Sequence, residues 1–515
     1  MRHHPWKFPV LSGILFAVGH YTPLLVPNFV SFLPMLVWID AHRERPLGDV
    51  ARGGIVFGLV TYGIGMHWIY AMLSISSLAI LMYLGLLVLF TSGAALALTL
   101  VGWMRRFTHA SFGLLLPACW IPFEWSRTWG DLRMTADHVG QGVARFPFLI
   151  QFADVVGPYG VAVFLLAFQG LLYELVTSWR TTRGKRAAAL LLLLVGPVVG
   201  YDGWKWTHPP RADRTLRVAL IQPNIPLVLK HDPAEVERQD RVLAEMTREA
   251  ANESPDLIVW PESARPGLVE HWLDNPASFA MPEVQRLAVE TGASILAGAE
   301  YARIRSVQDY EIYNAALLAH PDGTLDPAWT AKVYLVPFTE GVPFRPLLGP
   351  LLEGLGGELR WLSGGFTPGP VTTLRAANVA IGILVCYEEL YFDLSRALRN
   401  AGADLQVVIT NDAWFGRTVF QDFIADAVRM RAIESRSSFV RAANTGISGF
   451  VDPLGRYHQR TGLFVPAVEV WDVPIVRGRT IYTRIGDVAA WLAIAALVCA
   501  SWAARRGQRK AAARS

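Results

Sequence analysis

The chain has 515 residues, of which 52% are hydrophobic and only 17% charged, with a mean hydropathy of +0.30. Soluble domains carry about 25% charged residues and disordered chains are poor in aromatics, so 18 Trp, 25 Phe and 15 Tyr exclude disorder and argue against a wholly soluble protein. Three cysteines cannot build a disulfide framework, and a net charge of +4 matters less than where the basic residues lie.

In chain order, apolar runs come first. A bilayer crossing needs about 17–25 apolar residues. Seven candidates precede residue 202, at roughly 8–24, 26–40, 53–72, 77–103, 111–126, 158–177 and 186–201, and an eighth lies at 487–504. The start lacks the single apolar run and small-residue cleavage site of a signal peptide. The pattern predicts a multi-pass α-helical membrane bundle of about eight transmembrane helices rather than isolated core helices.

Basic residues set the orientation. With Arg2 and Lys7 in the cytoplasm, alternate ends place Arg43, Arg45, Arg52, Arg105, Arg106 and the cluster Arg180, Arg183, Lys185, Arg186 on the same side. The tail Arg505, Arg506, Arg509, Lys510 and Arg514 joins them, while the other side receives nearly uncharged turns and one loop with Arg127, Arg133 and Arg145. This is the positive-inside asymmetry. It predicts a seven-helix domain over 1–201, an extracytoplasmic domain over 202–486, and a last helix with a basic cytoplasmic tail over 487–515.

From about 212 to 482 short β-rich runs alternate with helical patterns. Strands are expected at Leu216–Ile221, Leu257–Trp260, Ser294–Ala297, Tyr313–Ala319, Val379–Val385, Leu405–Thr410, Phe439–Ala442 and Val468–Trp471, and helices at roughly 234–253, 281–291, 391–401 and 421–437. That alternation predicts an α/β or layered sandwich domain, and no repeat of a solenoid or propeller is present. Residues 341–370 are rich in Pro and Gly, with Leu347, Leu348, Leu351, Leu352, Leu355 and Trp361 among them. Such a loop suits a lid or a contact with lipid.

Cys386 is the one cysteine of this domain, at the end of the apolar strand Val379–Val385 and followed by Tyr387 and Glu388. A thiol at a strand end is held rigidly, facing a cleft; a buried structural cysteine is the bland alternative. Glu262 follows another strand in Trp260-Pro261-Glu262-Ser263, and Lys332 is the lone cation of an apolar segment with Glu340 eight residues on. A carboxylate can take a thiol proton, and a lysine favours the thiolate and stabilises an oxyanion. Taken singly, Glu262 and Lys332 read as surface charges or salt-bridge members; their contexts are what set them apart.

Their contexts together resemble the nitrilase, or carbon–nitrogen hydrolase, superfamily, in which Glu, Lys and Cys form a catalytic triad in that chain order. The matching stretches are Trp260-Pro261-Glu262, Lys332 to Glu340, and Cys386-Tyr387-Glu388. With seven helices before and one after, the whole chain resembles the apolipoprotein N-acyltransferase family of bacterial lipoprotein maturation. Ile221-Gln222-Pro223-Asn224-Ile225-Pro226, Thr410-Asn411-Asp412-Ala413-Trp414-Phe415-Gly416, Met430-Arg431-Ala432-Ile433-Glu434, Arg441-Ala442-Ala443-Asn444-Thr445-Gly446, Phe123-Glu124-Trp125 and Gly157-Pro158-Tyr159-Gly160 add to it. The departures are His231 after Lys230, Pro223, the Thr339-Glu340-Gly341 stretch and Asp422.

The resemblance implies a nitrilase-like αββα sandwich on the periplasmic side of the bacterial inner membrane, with both termini cytoplasmic. Cys386 would attack the sn-1 ester of a phospholipid, with phosphatidylethanolamine the expected donor. Glu262 would act as base and acid, Lys332 would hold the oxyanion, and the thioester would pass to the α-amino group of a diacylglyceryl-cysteine apolipoprotein. Glu340, Tyr387 and Glu388 are implied as supporting residues, and the loop with Leu347, Leu348, Leu351, Leu352 and Trp361 as the substrate opening. The 12 histidines are scattered without a His-Glu-x-x-His and no phosphate-binding glycine pattern occurs, so neither a metal nor a cofactor is expected. Two rivals share some of these features: a membrane-tethered amidase acting on a small soluble molecule, and a transporter or receptor with a degenerate domain. Multiple helices and an apolar loop favour a lipid substrate over the first, and a complete Glu262, Lys332 and Cys386 set argues against the second.

Overall fold

The computed structural model describes residues 6–73, 79–230, 232–265, 267–337, 339–348, 350 and 365–513. Apolar runs in the first two hundred residues become helices: α1 (Lys7–Tyr21), α2 (Leu25–Val30), α3 (Leu33–Ala41), α4 (Leu47–Gly65), α5 (Ile69–Met72), α6 (Ala79–Phe107), α7 (Phe112–Ser126), α8 (Ala153–Ser178) and α9 (Thr182–Thr207). A further helix, Val488–Ala512, closes the chain. Among the described residues five helices are long and apolar enough to cross a membrane: Leu47–Met72, α6, α8, α9 and Val488–Ala512.

The other three expected spans are shorter. The run at 26–40 breaks between α2 and α3 at Ser31 and Phe32, where Pro34 starts a new first turn. α1 and α7 each have 15 residues, and α7 carries Pro117 and Pro122 inside it. α8 starts five residues before the expected 158, because its first turn is joined to the rest through a non-helical Gly157 at φ 67°. A β-carbon there would lie 2.3 Å from the Tyr482 ring, so only glycine permits this kink. Leu81, Val88, Leu96, Leu192, Leu193, Leu492 and Val498 point outward from these helices, as lipid-facing side chains do.

Two sheets follow. The first runs in the order β13 (Ala467–Ile475), β1 (Arg214–Gln222), β2 (Leu257–Val259), β4 (Ser294–Ser306), β5 (Asp309–Ala319), β6 (Thr330–Ala331), with β3 (Leu268–Trp272) beside β4. The second runs β12 (Tyr457–His458), β11 (Gly449–Val451), β10 (Ser438–Ala443), β9 (Leu405–Thr410), β8 (Val379–Val385), β7 (Thr373–Ala376). Strand side chains alternate between faces. On β1, Leu216, Val218 and Leu220 therefore enter the layer between the sheets, with Val259, Ile383, Val407 and Val440. Ala219 and Ile221 turn the other way, under the helices Val236–Ala251 and Pro282–Thr291. The helices Phe392–Asn400 and Phe420–Ser435 cover the outer face of the second sheet through Leu394, Leu398 and Val428. The result is the αββα sandwich.

Buried polar contacts fasten the sandwich to the helices. Arg436 donates to Asp154 Oδ2 at 2.9 Å and to Gln151 Oε1 at 2.6 Å. Arg145 donates to Asp426 at 2.7 Å, Thr135 to the Leu390 carbonyl at 3.0 Å, and Tyr391 to the Arg133 carbonyl at 2.8 Å. Trp68 stacks on Phe420 with ring centroids 4.5 Å apart. Tyr391 and Leu390 lie within five residues of Cys386, so the segment after α7 abuts the strand end that carries the thiol.

Candidate active site

The chemistry-bearing residues lie where strands stop. Glu262 follows β2, Lys332 follows β6, Cys386 follows β8 and Asn411 follows β9. β1, β2 and β4 are mutually parallel, as are β8, β9 and β10. Ends of parallel neighbours collect on one edge, and this brings together residues far apart in sequence.

Cys386 sits at φ 61°, in the left-handed region, where β8 gives way to the short helix Cys386–Leu390. That sharp turn for a residue with a side chain marks a strained, over-determined position. The thiol is 8% exposed. Burial pushes its pKa well above the ordinary value, the charges of Glu262, Glu340 and Asp412 push the same way, and Lys332 opposes them. The resting sulfur is therefore protonated and needs a base to become a nucleophile.

Glu262 is 6% exposed. Its Oε1 accepts from the Asn314 amide at 2.7 Å, and its Oε2 accepts from the Asn411 main-chain N–H at 2.8 Å. The turn that carries it crosses β4 at Gly298, where a β-carbon would lie 2.3 Å from the Pro261 carbonyl oxygen and 2.8 Å from Glu262 Cα. Only the absence of a side chain lets the carboxylate come so close to the sheet.

Lys332 is 1% exposed and its ammonium lies 2.8 Å from Glu340 Oε1 and 3.9 Å from Glu262 Oε1. Burial pulls its pKa down, but coupling to Cys386, Glu340 and Glu262 more than offsets this and leaves it above the ordinary lysine value. The ammonium also lies 4.9 Å from the centroid of the Tyr387 ring. Tyr387 donates to the Tyr334 carbonyl at 2.8 Å. Glu340 Oε2 accepts the Val336 N–H at 2.9 Å, which closes the turn that follows Lys332. Glu388 is wholly buried and accepts three main-chain N–H groups, from Val333 at 2.7 Å, Tyr334 at 2.8 Å and Val385 at 2.7 Å. Burial raises its pKa to about 7.

Glu262, Lys332, Glu340, Cys386, Tyr387 and Glu388 thus meet in one buried cluster. Among the loop residues, Leu347 is 75% exposed and Leu348 is partly buried, while Leu351, Leu352, Leu355 and Trp361 lie outside the described residues. So does His231. Pro223 is buried beside the site strand, and Asp422 pairs with Arg460 at the surface at 2.6 Å. Among the described residues no group of three or more His, Cys, Asp or Glu is placed to hold a metal ion.

Four further residues join the site; Asn411 and Asn444 lie in stretches that carry the family resemblance and Lys230 precedes a departure from it, but none is expected from sequence to carry a role. Asn314 orients Glu262 from the middle of an apolar strand, and a lone amide in such a strand was the signal for it. Asn411 is anchored by Asn444, whose amide donates to its side chain at 3.0 Å. Lys230 is buried and donates to the Glu262 main-chain carbonyl at 2.7 Å.

A sandwich of this topology, with thiol, carboxylate and ammonium gathered at its strand ends, is that of a carbon–nitrogen hydrolase, and residues 217–474 match the Carbon-nitrogen hydrolase family. Residues 12–172 match the Apolipoprotein N-acyltransferase N-terminal domain. The chain is similar to an apolipoprotein N-acyltransferase of Geobacter metallireducens, with 33% identity over 512 residues, 96% of this chain and 95% of the relative. It is similar to one of Methylococcus capsulatus at 31% over 510 residues, again 96% and 95%, and to one of Chlorobaculum tepidum at 27% over 519 residues, 94% and 93%. The chain belongs to the apolipoprotein N-acyltransferase family.

Proposed function

We propose that this membrane enzyme N-acylates apolipoproteins by ping-pong transfer through Cys386. Glu262 takes the thiol proton as the sulfur attacks the sn-1 ester carbonyl of a phospholipid, with phosphatidylethanolamine the expected donor. Lys332 stabilises the oxyanion of the tetrahedral intermediate. As it collapses, the ester C–O bond breaks, Glu262 returns the proton to the leaving lysophospholipid oxygen, and a thioester remains. The α-amino group of a diacylglyceryl-cysteine then attacks the thioester. Glu262 accepts its proton, the C–S bond breaks, and the amide product leaves with the thiol restored. Glu340 and Glu388 hold the Lys332 segment, and Tyr387 packs beneath the ammonium.

The observation that carries this reading is the burial of Glu262 and Lys332 3.9 Å apart, beside a protonated thiol, in a chain whose described residues include five membrane-length helices. A soluble enzyme would lift acyl chains from the bilayer at about 0.8 kcal/mol per CH₂; a domain fixed on the bilayer does not. In this reading residues 1–201 and 487–515 form the membrane part, and 202–486 face the periplasm from the inner membrane with both termini cytoplasmic. The distribution of arginine and lysine supports that orientation. The loop that begins with Leu347 and Leu348 is assigned as the opening for lipid.

The test uses purified protein and acyl-labelled phosphatidylethanolamine. A hydroxylamine-labile adduct is expected, absent in Cys386→Ala and transferred to a diacylglyceryl peptide. An adduct that persists in Cys386→Ala removes the nucleophile, and one released to water but never to the peptide favours the amidase reading.

A further inference from the structure

We infer that Lys230 is a positioning residue for this reaction: a second buried cation, behind Glu262, that holds the Glu262 turn and supplies positive charge to the Glu262–Cys386 pair.

Lys230 ends a one-turn helix, Leu227–Lys230, between β1 and the helix Val236–Ala251. Gln239 of that helix donates to the carbonyls of Leu229 at 2.8 Å and Lys230 at 3.3 Å, which fixes the turn. The side chain is 7% exposed, and its ammonium donates to the Glu262 main-chain carbonyl at 2.7 Å. Among the described residues no carboxylate oxygen lies within ion-pair distance of it. A buried ammonium without an ion-pair partner is costly, and a neutral donor would serve a main-chain carbonyl as well. Its charge therefore acts on something other than that carbonyl.

The charged groups facing it identify the target. Glu262 lies on the turn after β2, Cys386 at the end of β8 and Glu300 on β4, and each favours the charged lysine. Arg265 and Glu300 share with it the wall of a cavity of about 270 Å³. Glu262 and Cys386 are the pair between which a proton moves. Lys332 is held by Glu340, and Lys230 reaches the pair through the Glu262 main-chain carbonyl. Positive charge there favours the thiolate that proton transfer leaves on Cys386. Burial lowers the lysine pKa to about 8, so its charge is present below that value and lost above it.

This assignment rests on Cys386 being the nucleophile, so the experiment has one readout that needs no lipid. In the full-length protein, iodoacetamide alkylation of the Cys386 peptide is followed by mass spectrometry on both sides of about pH 8. Wild type, Lys230→Met and Lys230→Arg are compared, and thioester formation from acyl-labelled phospholipid is measured in parallel. Lys230→Met is expected to alkylate about tenfold more slowly below the lysine pKa, the effect of one pKa unit. Lys230→Arg keeps its charge at all pH, so its rate relative to wild type rises above about pH 8. Equal rates for wild type and Lys230→Met overturn the proposal. So does a Lys230→Arg to wild-type ratio that stays constant with pH, a comparison that remains open if Lys230→Met does not fold. Slower alkylation in Lys230→Met, with no thioester in any variant including wild type, leaves Lys230 in its role and removes the phospholipid reading instead.

Discussion

Glu388 accepts the main-chain N–H of Val333 at 2.7 Å, which ties the residue after Lys332 to the turn that begins at Cys386. Its other oxygen takes the N–H of Val385, the residue before Cys386. One buried carboxylate therefore sets the spacing between the Lys332 cation and the Cys386 thiol, which come from different sheets. Cross-links of this kind keep a reacting pair within the tolerance that transfer chemistry demands.

Replacing Glu388 by Gln turns an amide N–H₂ toward at least one of those three N–H donors. Thioester formation is expected to slow by roughly 10–10²-fold as the Lys332 and Cys386 segments shift. The pH dependence of stability has a definite sign. The folded chain raises the Glu388 pKa from 4.5 to about 7, so it binds this proton more tightly than the unfolded chain does. That contribution is complete below pH 4.5 and is lost as the pH rises through about 7. Gln has no such proton, so the Tm of the variant gains on that of wild type across this window in thermal melts.

Gly298→Ala tests the backbone under Glu262. Its β-carbon meets the Pro261 carbonyl oxygen at 2.3 Å, so the Glu262 turn is displaced by a substantial fraction of an ångström. A loss of about 10²-fold in thioester formation is expected. Cys386 is untouched and should still alkylate.

Lys332→Met removes the proposed oxyanion partner and leaves Glu340 facing Glu262. Acyl-enzyme formation is expected to fall by about 10²–10³-fold. Lys332→Arg is not expected to rescue it, because a planar guanidinium does not fit the point-charge position between two carboxylates. Single-turnover labelling of the thioester measures both.

Arg441 is fully buried and donates to Glu389 at 2.6 and 2.8 Å and to Asp412 at 2.9 Å. Arg441→Met strands two carboxylates under the strand ends and is expected to cost about 3–5 kcal/mol. Adding Glu389→Gln should recover part of the lost Tm, since it removes one of the two unpaired charges.

Replacing Leu347, Leu348, Leu351 and Leu352 together by Ser is expected to impair access of lipid to the thiol while sparing alkylation of Cys386 by a small reagent. Normal acyl-enzyme formation in that variant would refute the loop assignment.

Local pattern made some of this architecture legible. Val379–Val385 and Leu405–Thr410 are strands with the expected bounds, because unbroken apolar runs between turn residues have few alternatives. Strands Leu268–Trp272, Thr330–Ala331, Thr373–Ala376, Gly449–Val451 and Tyr457–His458 escaped notice; they are short, and several are polar and lie at sheet edges, where pairing rather than burial defines them. The single span expected at 26–40 is two helices, and the helix expected from 158 begins before a kinked Gly157. Apolarity states that a segment leaves water, not that it stays straight.

Sequence alone determined that this chain is a membrane helix bundle joined to a strand–helix domain, and it marked Glu262, Lys332 and Cys386 as polar residues at the margins of apolar segments. Those properties follow from the solubility of short stretches, which neighbouring residues decide. Tertiary structure alone decided that Asn411, 149 positions from Glu262, and Asn314 orient that carboxylate, that Glu388 spans the Lys332 and Cys386 segments, and that Lys230 reaches the Glu262 main-chain carbonyl. The physical reason is that a hydrogen bond between strand ends depends on which strands lie side by side, and no stretch of chain carries that information by itself.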